Sequence, residues 1–351
     1  MNRAVGGAHG PGAAERLRQS ALKSTKCHPR PQHLSQNELQ PLLASVSRSF
    51  NLSLRFLPST VREPLGLAYL LARLSDTIAD ASDAPLHLRL EALETFVHAL
   101  GAECADEDRC LTPILSTLHC PNPAEAALLQ KGDALLHCYA SLSADLQEEV
   151  RSVLKTITAG QRSDLLRFGY ASLSAPQALP RSADTENYTY AVAGCVGEFW
   201  TRVCALQMPN FARTPLPELL RLGRNLGQGL QLVNILRDLP ADLRAGRCYL
   251  PADQLAADGL SPADLLTNPK RARPIFERWL FQAQTWLNDG EAYVSGIRGR
   301  RLRFSVTLPR LLGLETLALL QSNPPLETPN RVKITRSTVL RCALSSLRAP
   351  E

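Results

Sequence analysis

Two aspartates stand four residues apart in an otherwise apolar, helical-looking stretch, LLARLSDTIADA, at residues 70–81. Residues four apart are neighbours on a helix, and two like charges at that spacing destabilise it by roughly 0.2–0.5 kcal/mol. On helical geometry Asp76 and Asp80 share one polar stripe with Tyr69 and Arg73. Leucine and isoleucine cover most of the remaining circumference, which predicts a buried helix. Its polar stripe must then face something other than bulk water.

The same theme returns in NLGQGLQLVNILRDLPADLRAGRCYLP at residues 225–251. One wedge of this predicted helix carries four polar side chains, which are Gln231, Asn234, Asp238 and Asp242. Apolar residues again surround the wedge, and glycines just upstream would permit the close approach of another helix or a ligand. Pro240 predicts that the helix kinks or ends near Leu239, which would place Asp242 on an irregular final turn.

Buried carboxylates need partners, and a divalent cation with oxygen ligands would satisfy both acidic stripes. Mg²⁺ is typically held by one or two carboxylates, while waters and substrate phosphates complete its shell. Two stripes facing one cavity therefore predict Mg²⁺ ions that grip a diphosphate and promote its departure. An apolar bundle core would shield the resulting carbocation and hold a long hydrocarbon tail. A structural polar network without metal is the alternative that the spacing leaves open.

The remaining sequence has helical periodicity nearly throughout, without a convincing alternating strand pattern. A length of 351 residues with 44% apolar residues allows a substantial core. Residues 1–34 contain six Arg and Lys against one Glu, so this stretch carries +5 of the net +6 charge. We predict that residues 1–34 form a disordered basic tail and that residues 35–345 form a single all-α domain. Because the body is nearly neutral, no nucleic-acid partner is predicted.

Nine cysteines without a C-x₂-C pair predict free thiols in a reducing, cytoplasmic setting rather than a zinc site or disulfide framework. The first residues lack the apolar region of a signal peptide. A stretch of 18 apolar residues is also missing, so no transmembrane segment is predicted. The basic residues near the start predict peripheral association with the inner face of an anionic membrane.

Four ordered motifs resemble the squalene/phytoene synthase family, the head-to-head prenyl transferases, over about residues 42–345. They are SRSF with LPSTVR (47–50 and 57–62), YLLARLSDTIAD (69–80), NYTYAVAGCVG (187–197) and LQLVNILRDLPADLRAGRCYLP (230–251). The resemblance implies an all-α isoprenoid-synthase fold, a single-domain helical bundle with a central hydrophobic cavity. It also implies Mg²⁺-dependent coupling of two prenyl diphosphates, with farnesyl diphosphate as the expected substrate.

The resemblance assigns roles to the residues that match the family motifs. Metal and diphosphate binding would fall to Asp76, Asp80, Asn234, Asp238 and Asp242. The substrate-binding set, mostly phosphate contacts, would be Ser47, Arg48, Ser49, Phe50, Arg73, Arg237 and Arg247. Tyr69 and Gln231 would line the reaction centre, and Tyr188 matches the tyrosine that assists proton removal or cation stabilisation. A second family tyrosine, directly before Val-Ala-Gly, is replaced here by Ala191.

The expected product depends on a reductive step. Squalene synthases form a cyclopropyl intermediate, presqualene diphosphate, and reduce it with NADPH, whereas phytoene and dehydrosqualene synthases stop without reduction. No Gly-x-Gly-x-x-Gly loop follows a strand here. However, VKITRS at residues 332–337 resembles the C-terminal segment of squalene synthases, which assigns Lys333 and Arg336, with Arg48 and Arg73, to the cofactor.

A squalene synthase-like reaction is therefore expected, with a phytoene-type synthase that lacks the reduction as the alternative. A non-catalytic assembly factor of the same fold is a remote third possibility. Such family members have lost motif aspartates, whereas all four aspartates are present in this chain.

Overall fold

Helices account for nearly all of the secondary structure in the computed structural model, as the sequence predicts. The structure describes residues 34–47, 49–101, 110–328 and 331–347, apart from the side chains of residues 36 and 49–51. Most of the predicted basic tail, residues 1–33, therefore lies outside the described residues. Leu34 is buried, and its carbonyl accepts a hydrogen bond from the Cys138 thiol (3.7 Å). The folded domain thus includes Leu34, the last residue of the predicted tail.

The first half of the described chain forms eight helices. They are α1 Gln36–Val46, α2 Ser49–Arg55, α3 Ser59–Asp80, α4 Leu86–Ala99, α5 Thr112–Leu115, α6 Pro123–Gln130, α7 Gly132–Ala140 and α8 Ala144–Phe168. The first aspartate motif lies on α3, which packs against α4, α7 and α8. Since α3 is buried on most of its circumference, its polar stripe faces the interior, as its sequence predicts.

The second half of the described chain contains two short strands among further helices. They are β1 Gln177–Leu179, α9 Ser182–Thr189, a π-helical turn Tyr190–Gly194, α10 Cys195–Gln207, α11 Leu216–Arg244, β2 Arg247–Pro251, α12 Ala252–Ala257, α13 Asp264–Thr267, α14 Arg273–Gly296, α15 Arg300–Ser322 and α16 Arg336–Leu347. The second aspartate motif lies on α11, which packs against α10, α14 and α15. None of the described helices is long and apolar enough to cross a membrane.

Glycines allow α11 to approach the π-helical turn and α10 closely. A Cβ on Gly197 would lie 1.9 Å from the carbonyl oxygen of Gly223. A Cβ on Gly227 would lie 2.3 Å from the carbonyl oxygen of Ala193. Both distances are far below any real contact, so only glycine permits this packing. The upstream glycines therefore bring the second acidic helix against the third family motif.

The helix around Pro240 differs from the prediction, because α11 continues without interruption to Arg244. Proline removes one backbone donor from the helix, which ordinarily disfavours its continuation. Here Leu239 and Leu243 are both fully buried and hold the last turn in place. Asp242 consequently lies on a regular turn, one turn after Asp238.

The two strands pair in parallel, with Gln177 opposite Arg247 and Ala178 opposite Cys248. Three-residue and five-residue strands are too short to give a clear alternating pattern, which explains why the sequence did not predict them. The hydroxyl of Thr185 on α9 donates to the carbonyl of Tyr249 on β2 (2.9 Å). This small sheet therefore fixes Arg247 and Tyr249 beside α9.

Candidate active site

Two adjoining cavities, one polar and one apolar, lie between α3, α8, the π-helical turn and α11. The polar cavity has a volume of about 610 Å³, and the apolar cavity has a volume of about 430 Å³. Four residues line both of them: Asp76, Val192, Gln231 and Asn234. A ligand with a charged end and a hydrocarbon end can therefore span the shared wall.

The first acidic stripe faces the polar cavity through Asp76 and Asp80. Asp76 accepts a hydrogen bond from the side-chain amide of Gln161 on α8. Burial raises the pKa of Asp76 to about 6, although nearby Arg73 opposes this shift. Burial also raises the pKa of Asp80, against the opposing charge of Arg247. Burial of the two carboxylates thus outweighs the opposing charges of the nearby arginines, so a bound cation would stabilise their charged forms.

The arginine of the first stripe is held by a residue that the sequence analysis did not identify. Arg73 donates to the carboxylate of Glu125 on α6, while its other amino group lies 3.8 Å from Asp76. Burial would lower the pKa of Arg73, but the charges of Asp76 and Glu125 raise it overall. Glu125 therefore draws Arg73 away from Asp76 and fixes it in the cavity wall.

The second acidic stripe is more strongly neutralised at Asp238. Arg237 donates to both carboxylate oxygens of Asp238, at 3.1 and 2.7 Å. Arg331 is the first described residue after the gap at residues 329–330. Its Nε donates to Oδ1 of Asp238 at 2.8 Å, and its Nη2 lies 2.6 Å from the same oxygen. Burial alone would raise the pKa of Asp238, but these hydrogen bonds and charges lower it overall.

Asp242 is paired with an arginine from the small sheet. Arg247 on β2 donates to Asp242 at 3.0 Å, and both side chains line the polar cavity. Burial raises the pKa of Asp242 to about 6 despite this pair, and the charge of Asp238 contributes to the rise. The predicted metal and phosphate residues Asp80, Asn234, Arg237 and Arg247 thus share one cavity.

Tyr188 lies in the wall of the polar cavity, stacked on Tyr249 with ring centroids 4.6 Å apart. The hydroxyl of Tyr249 donates to Asp164 on α8 at 2.8 Å. Sequence reasoning missed both Tyr249 and Asp164, because neither belongs to an acidic stripe. Tyr249 does lie within residues 230–251, the stretch that resembles the second aspartate motif, and this position could have identified it as a site residue.

The apolar cavity is lined mainly by aliphatic, aromatic and glycine residues. Among them are Leu65, Ile157, Val196, Phe199, Trp200, Leu226, Leu230 and Val306. Tyr69 and Gln231, which the resemblance assigns to the reaction centre, also line it. The hydroxyl of Tyr69 lies 3.4 Å from the carbonyl of Val46. The surface of this cavity suits a hydrocarbon chain.

Several predicted residues lie outside these walls. Ser47 is buried beside Tyr69, which it contacts by a hydrogen bond, and it does not line either cavity. Arg48 and the side chains of Ser49 and Phe50 lie outside the described part of the chain. Lys333 and Arg336 are exposed and line neither cavity, whereas Arg331 of the same segment reaches Asp238.

Ala191 stands where the resembled family has its second tyrosine, and the structure shows what surrounds this position. Ala191 and Tyr188 line a side pocket of about 350 Å³. Tyr190 lies elsewhere, with its hydroxyl 3.4 Å from the carboxylate of Glu198 and its ring 5.5 Å from the Arg224 guanidinium. The neighbouring tyrosine therefore does not replace the missing one in either cavity wall.

The oxygen donors of the two acidic stripes decide whether the polar cavity suits a metal ion. Across the described ranges, no three carboxylate, histidine or cysteine side chains converge closely enough to hold an ion by themselves. The buried Oε1 atom of Gln161, beside Asp76, has no hydrogen-bond partner within these ranges. Buried carboxylates and amide oxygens are hard donors, and they fit ions that share their shell with water and a phosphate ligand.

Comparison with known proteins places this site in a family. The sequence model of the family described as squalene/phytoene synthase matches residues 43–338. Squalene synthase from Schizosaccharomyces pombe is 27% identical over 314 residues, which cover 87% of this chain and 64% of that relative. A bifunctional lycopene cyclase/phytoene synthase from Colletotrichum graminicola is 31% identical over 231 residues, covering 65% of this chain and 36% of the relative. The chain thus spans less than two thirds of the length of these two relatives.

A solved structure agrees with the helical architecture. The complex of TcSQS with a ligand has a TM-score of 0.72 to this chain at 21% identity. The match covers 88% of this chain and 85% of that one. At this level of identity the likeness establishes the fold of the bundle.

Proposed function

Because the chain belongs to the squalene/phytoene synthase family, we propose that it couples two farnesyl diphosphates head to head through presqualene diphosphate. In this proposal NADPH then reduces the intermediate to squalene. The observation that carries the proposal is the shared wall of the polar and apolar cavities, formed by Asp76, Gln231 and Asn234. A prenyl diphosphate has the same division into a charged head and a hydrocarbon tail, so its reacting carbon would lie at this wall.

Mg²⁺ is the ion that we assign to the polar cavity. Its ligands would be Asp76, Asp80, Asn234, Asp238 and Asp242, and it would supply Lewis-acid stabilisation of the departing diphosphate. Phosphate oxygens would also contact the cavity-lining arginines Arg73, Arg237 and Arg247. Each of these arginines is already held by a carboxylate of the protein, so its guanidinium is positioned before substrate arrives.

The apolar cavity would hold the prenyl chain and keep water from the carbocation. Tyr188 stands at the polar side of the reacting centre and Tyr69 at the apolar side. A phenol oxygen can stabilise a nearby cation or accept a proton from it. These two tyrosines would therefore act on the reacting carbons rather than on the diphosphate.

A synthase that stops without reduction is the second candidate, since the relative with phytoene synthase activity in its name is 31% identical to this chain. Incubation of purified protein with Mg²⁺ and farnesyl or geranylgeranyl diphosphate, with and without NADPH, separates the two. We expect squalene from farnesyl diphosphate only when NADPH is present. The same product with and without NADPH would favour the non-reducing enzyme, and no consumption of either diphosphate would overturn both candidates.

The cofactor assignment of Lys333 and Arg336 has its own test. Replacing both with alanine should leave diphosphate release intact but slow the reductive step, because the cofactor phosphates would lose cationic contacts. The variant should accumulate presqualene diphosphate, and raised NADPH should partly restore squalene. Unchanged NADPH dependence in this variant would place the cofactor contacts elsewhere.

A further inference from the structure

We propose that Tyr293 on α14 forms the floor of the apolar cavity, its end farthest from the shared wall, and thereby limits the prenyl chain to the length of a farnesyl group. This role rests on the proposed function, because it requires a prenyl chain in this cavity. It concerns the length of the substrate chain and is independent of the reductive step. Neither acidic stripe contains Tyr293, so the sequence analysis did not identify it.

The depth of the apolar cavity follows from the two helices that carry the acidic stripes. On α3 its lining extends from Asp76, at the wall shared with the polar cavity, to Leu65. On α11 it extends from Asn234, at the same wall, to Gly223. The two residues of each pair are eleven positions apart. A helical rise of about 1.5 Å per residue therefore gives a depth of about 16 Å along both helices.

This depth matches a farnesyl chain and is too short for a longer one. Carbon–carbon bonds of about 1.5 Å advance an extended hydrocarbon chain by about 1.25 Å each. The twelve-carbon backbone of a farnesyl group is then about 14 Å long, and the sixteen-carbon backbone of a geranylgeranyl group is about 19 Å long. A further isoprene unit would therefore have to pass through the far end of the cavity.

Buried residues close that far end. Leu65, Tyr293 and Ser305 are 3%, 2% and 3% exposed, and Gly223 is buried beside them. The hydroxyl of Ser305 on α15 donates to the backbone carbonyl of Ser53 on α2 at 2.7 Å. The residues of the shared wall are partly exposed, in contrast. A chain that enters from the polar side thus meets a closed surface at the other end.

Tyr293 is fixed at this closed end from two sides. A Cβ on Gly223 would lie 3.1 Å from Cε2 of Tyr293, so the ring packs directly against the backbone of α11. The hydroxyls of Tyr293 and Thr201 are hydrogen-bonded at 2.8 Å, and Thr201 also donates to the carbonyl of Gly197 at 2.8 Å. The ring cannot swing aside without leaving buried polar groups unpaired, which makes it a rigid barrier.

The test measures how tightly the chain binds unreactive analogues of farnesyl and geranylgeranyl diphosphate, in which sulfur replaces the bridging oxygen. Calorimetry with saturating Mg²⁺ should show that the wild type prefers the farnesyl analogue by at least about tenfold. Tyr293→Ala removes the barrier and should reduce this preference to about twofold or reverse it. The relative rates at which the two diphosphates are consumed should change in the same direction.

A second variant and a matched control separate the barrier from stability. Tyr293→Leu keeps part of the buried apolar volume, so it protects the fold and should shift the preference in the same direction by a smaller factor. Tyr139 is a buried tyrosine whose hydroxyl donates to the carbonyl of Leu100 at 3.0 Å, and it lines neither cavity. Tyr139→Ala and Tyr139→Leu should lower stability but leave the preference unchanged.

An opposite change at Ala68 tests the depth itself. Ala68 lines the same cavity about one helical turn nearer to the shared wall than Leu65. Ala68→Phe adds a ring within the cavity and should weaken binding of the farnesyl analogue at least about fivefold. The eight-carbon backbone of a geranyl group is about 9 Å long, so binding of its analogue should change less than about twofold.

The outcomes distinguish the role of Tyr293 from the proposed function. If the wild-type chain binds neither analogue and consumes neither diphosphate, the proposed function fails and the role of Tyr293 fails with it. If the wild type is active but binds both analogues equally well, only the role of Tyr293 is overturned. It is also overturned if folded Tyr293→Ala and Tyr293→Leu keep the wild-type preference, or if the Tyr139 variants shift it as much.

Discussion

The helix that carries Asp76 and Asp80 differs from the helix that carries Asp238 and Asp242 in the positive charge around its carboxylates. On the first helix, Gln161 supplies a neutral amide to Asp76, and Arg73 is engaged mainly by Glu125. On the second helix, both aspartates have guanidinium partners within 3.0 Å. The two motifs look alike in sequence but differ in electrostatics.

The difference indicates a division of labour between the two stripes. A carboxylate without a close guanidinium partner attracts a cation strongly. A carboxylate that already has two guanidinium partners must lose one of them before it can bind a cation. We therefore expect the first stripe to dominate cation affinity and the second to carry arginines that contact phosphate. Four predictions would break or sharpen this comparison.

The largest effects are expected from removal of one carboxylate charge, on the first stripe more than on the second. Asp76→Asn and Asp238→Asn should each lower turnover at least about 100-fold, because each removes a ligand from metal-assisted ionisation. The loss should be greater for Asp76→Asn, because Arg73 beside it is engaged mainly by Glu125, whereas Asp238 lies beside both Arg237 and Arg331. Steady-state kinetics with an exposed control, Asp145→Asn, would check this, and near-normal turnover in folded Asp76→Asn would contradict the metal assignment.

A second prediction concerns stability without metal. The pKa of Asp242 is raised from 3.8 to about 6, so the folded state binds this proton more tightly than the unfolded state. Stability therefore falls as pH rises through this window, and the loss is complete above it. Asn carries no charge, so Asp242→Asn should be more stable than wild type by about 1–2 kcal/mol at about pH 8 in EDTA.

Calorimetric unfolding at several pH values would measure this effect. The stability difference between Asp242→Asn and wild type should shrink toward acid pH, where the wild-type carboxyl is protonated. A variant that is less stable than wild type at alkaline pH would show that the pair with Arg247 outweighs the burial of the charge.

The third prediction removes a cation from the second stripe. Arg331 is half exposed and competes with any metal ion for Asp238. Exposed ion pairs are typically worth up to about 1 kcal/mol, so Arg331→Ala should lower the Mg²⁺ concentration for half-maximal activity about two- to fivefold. Arg341→Ala, whose partner is Glu315, is the control. A higher Mg²⁺ requirement would instead indicate that Arg331 helps to bind the ligand.

The smallest effect is expected from the opposite change at the first stripe. Glu125→Gln weakens the hold on Arg73 and lets its guanidinium approach Asp76, from which it lies 3.8 Å away. The added positive charge should raise the Mg²⁺ requirement about twofold. A Mg²⁺ titration of activity and of pyrophosphate-induced thermal stabilisation would detect it, and a lowered requirement would argue against competition between Arg73 and the ion.

The sequence by itself determined the helical class and the two acidic stripes. Both depend on local geometry, because residues three and four apart on a helix share a face whatever lies around them. The apolar residues flanking Asp76 and Asp238 also indicated burial, since a helix with apolar residues around most of its surface packs inside. The shared polar cavity confirms that these stripes meet. Their metal ions and the cofactor contacts of Lys333 and Arg336 remain predictions.

The partners of those stripes were decided only by the tertiary structure. Arg73 and Glu125 are 52 residues apart in the chain, Asp164 and Tyr249 are 85 apart, and Asp238 and Arg331 are 93 apart. Spacing along one helix carries no information about such pairs, because they form only when separate elements pack. The regular turn beyond Pro240 has the same origin, since burial of neighbouring leucines outweighs the local preference of proline.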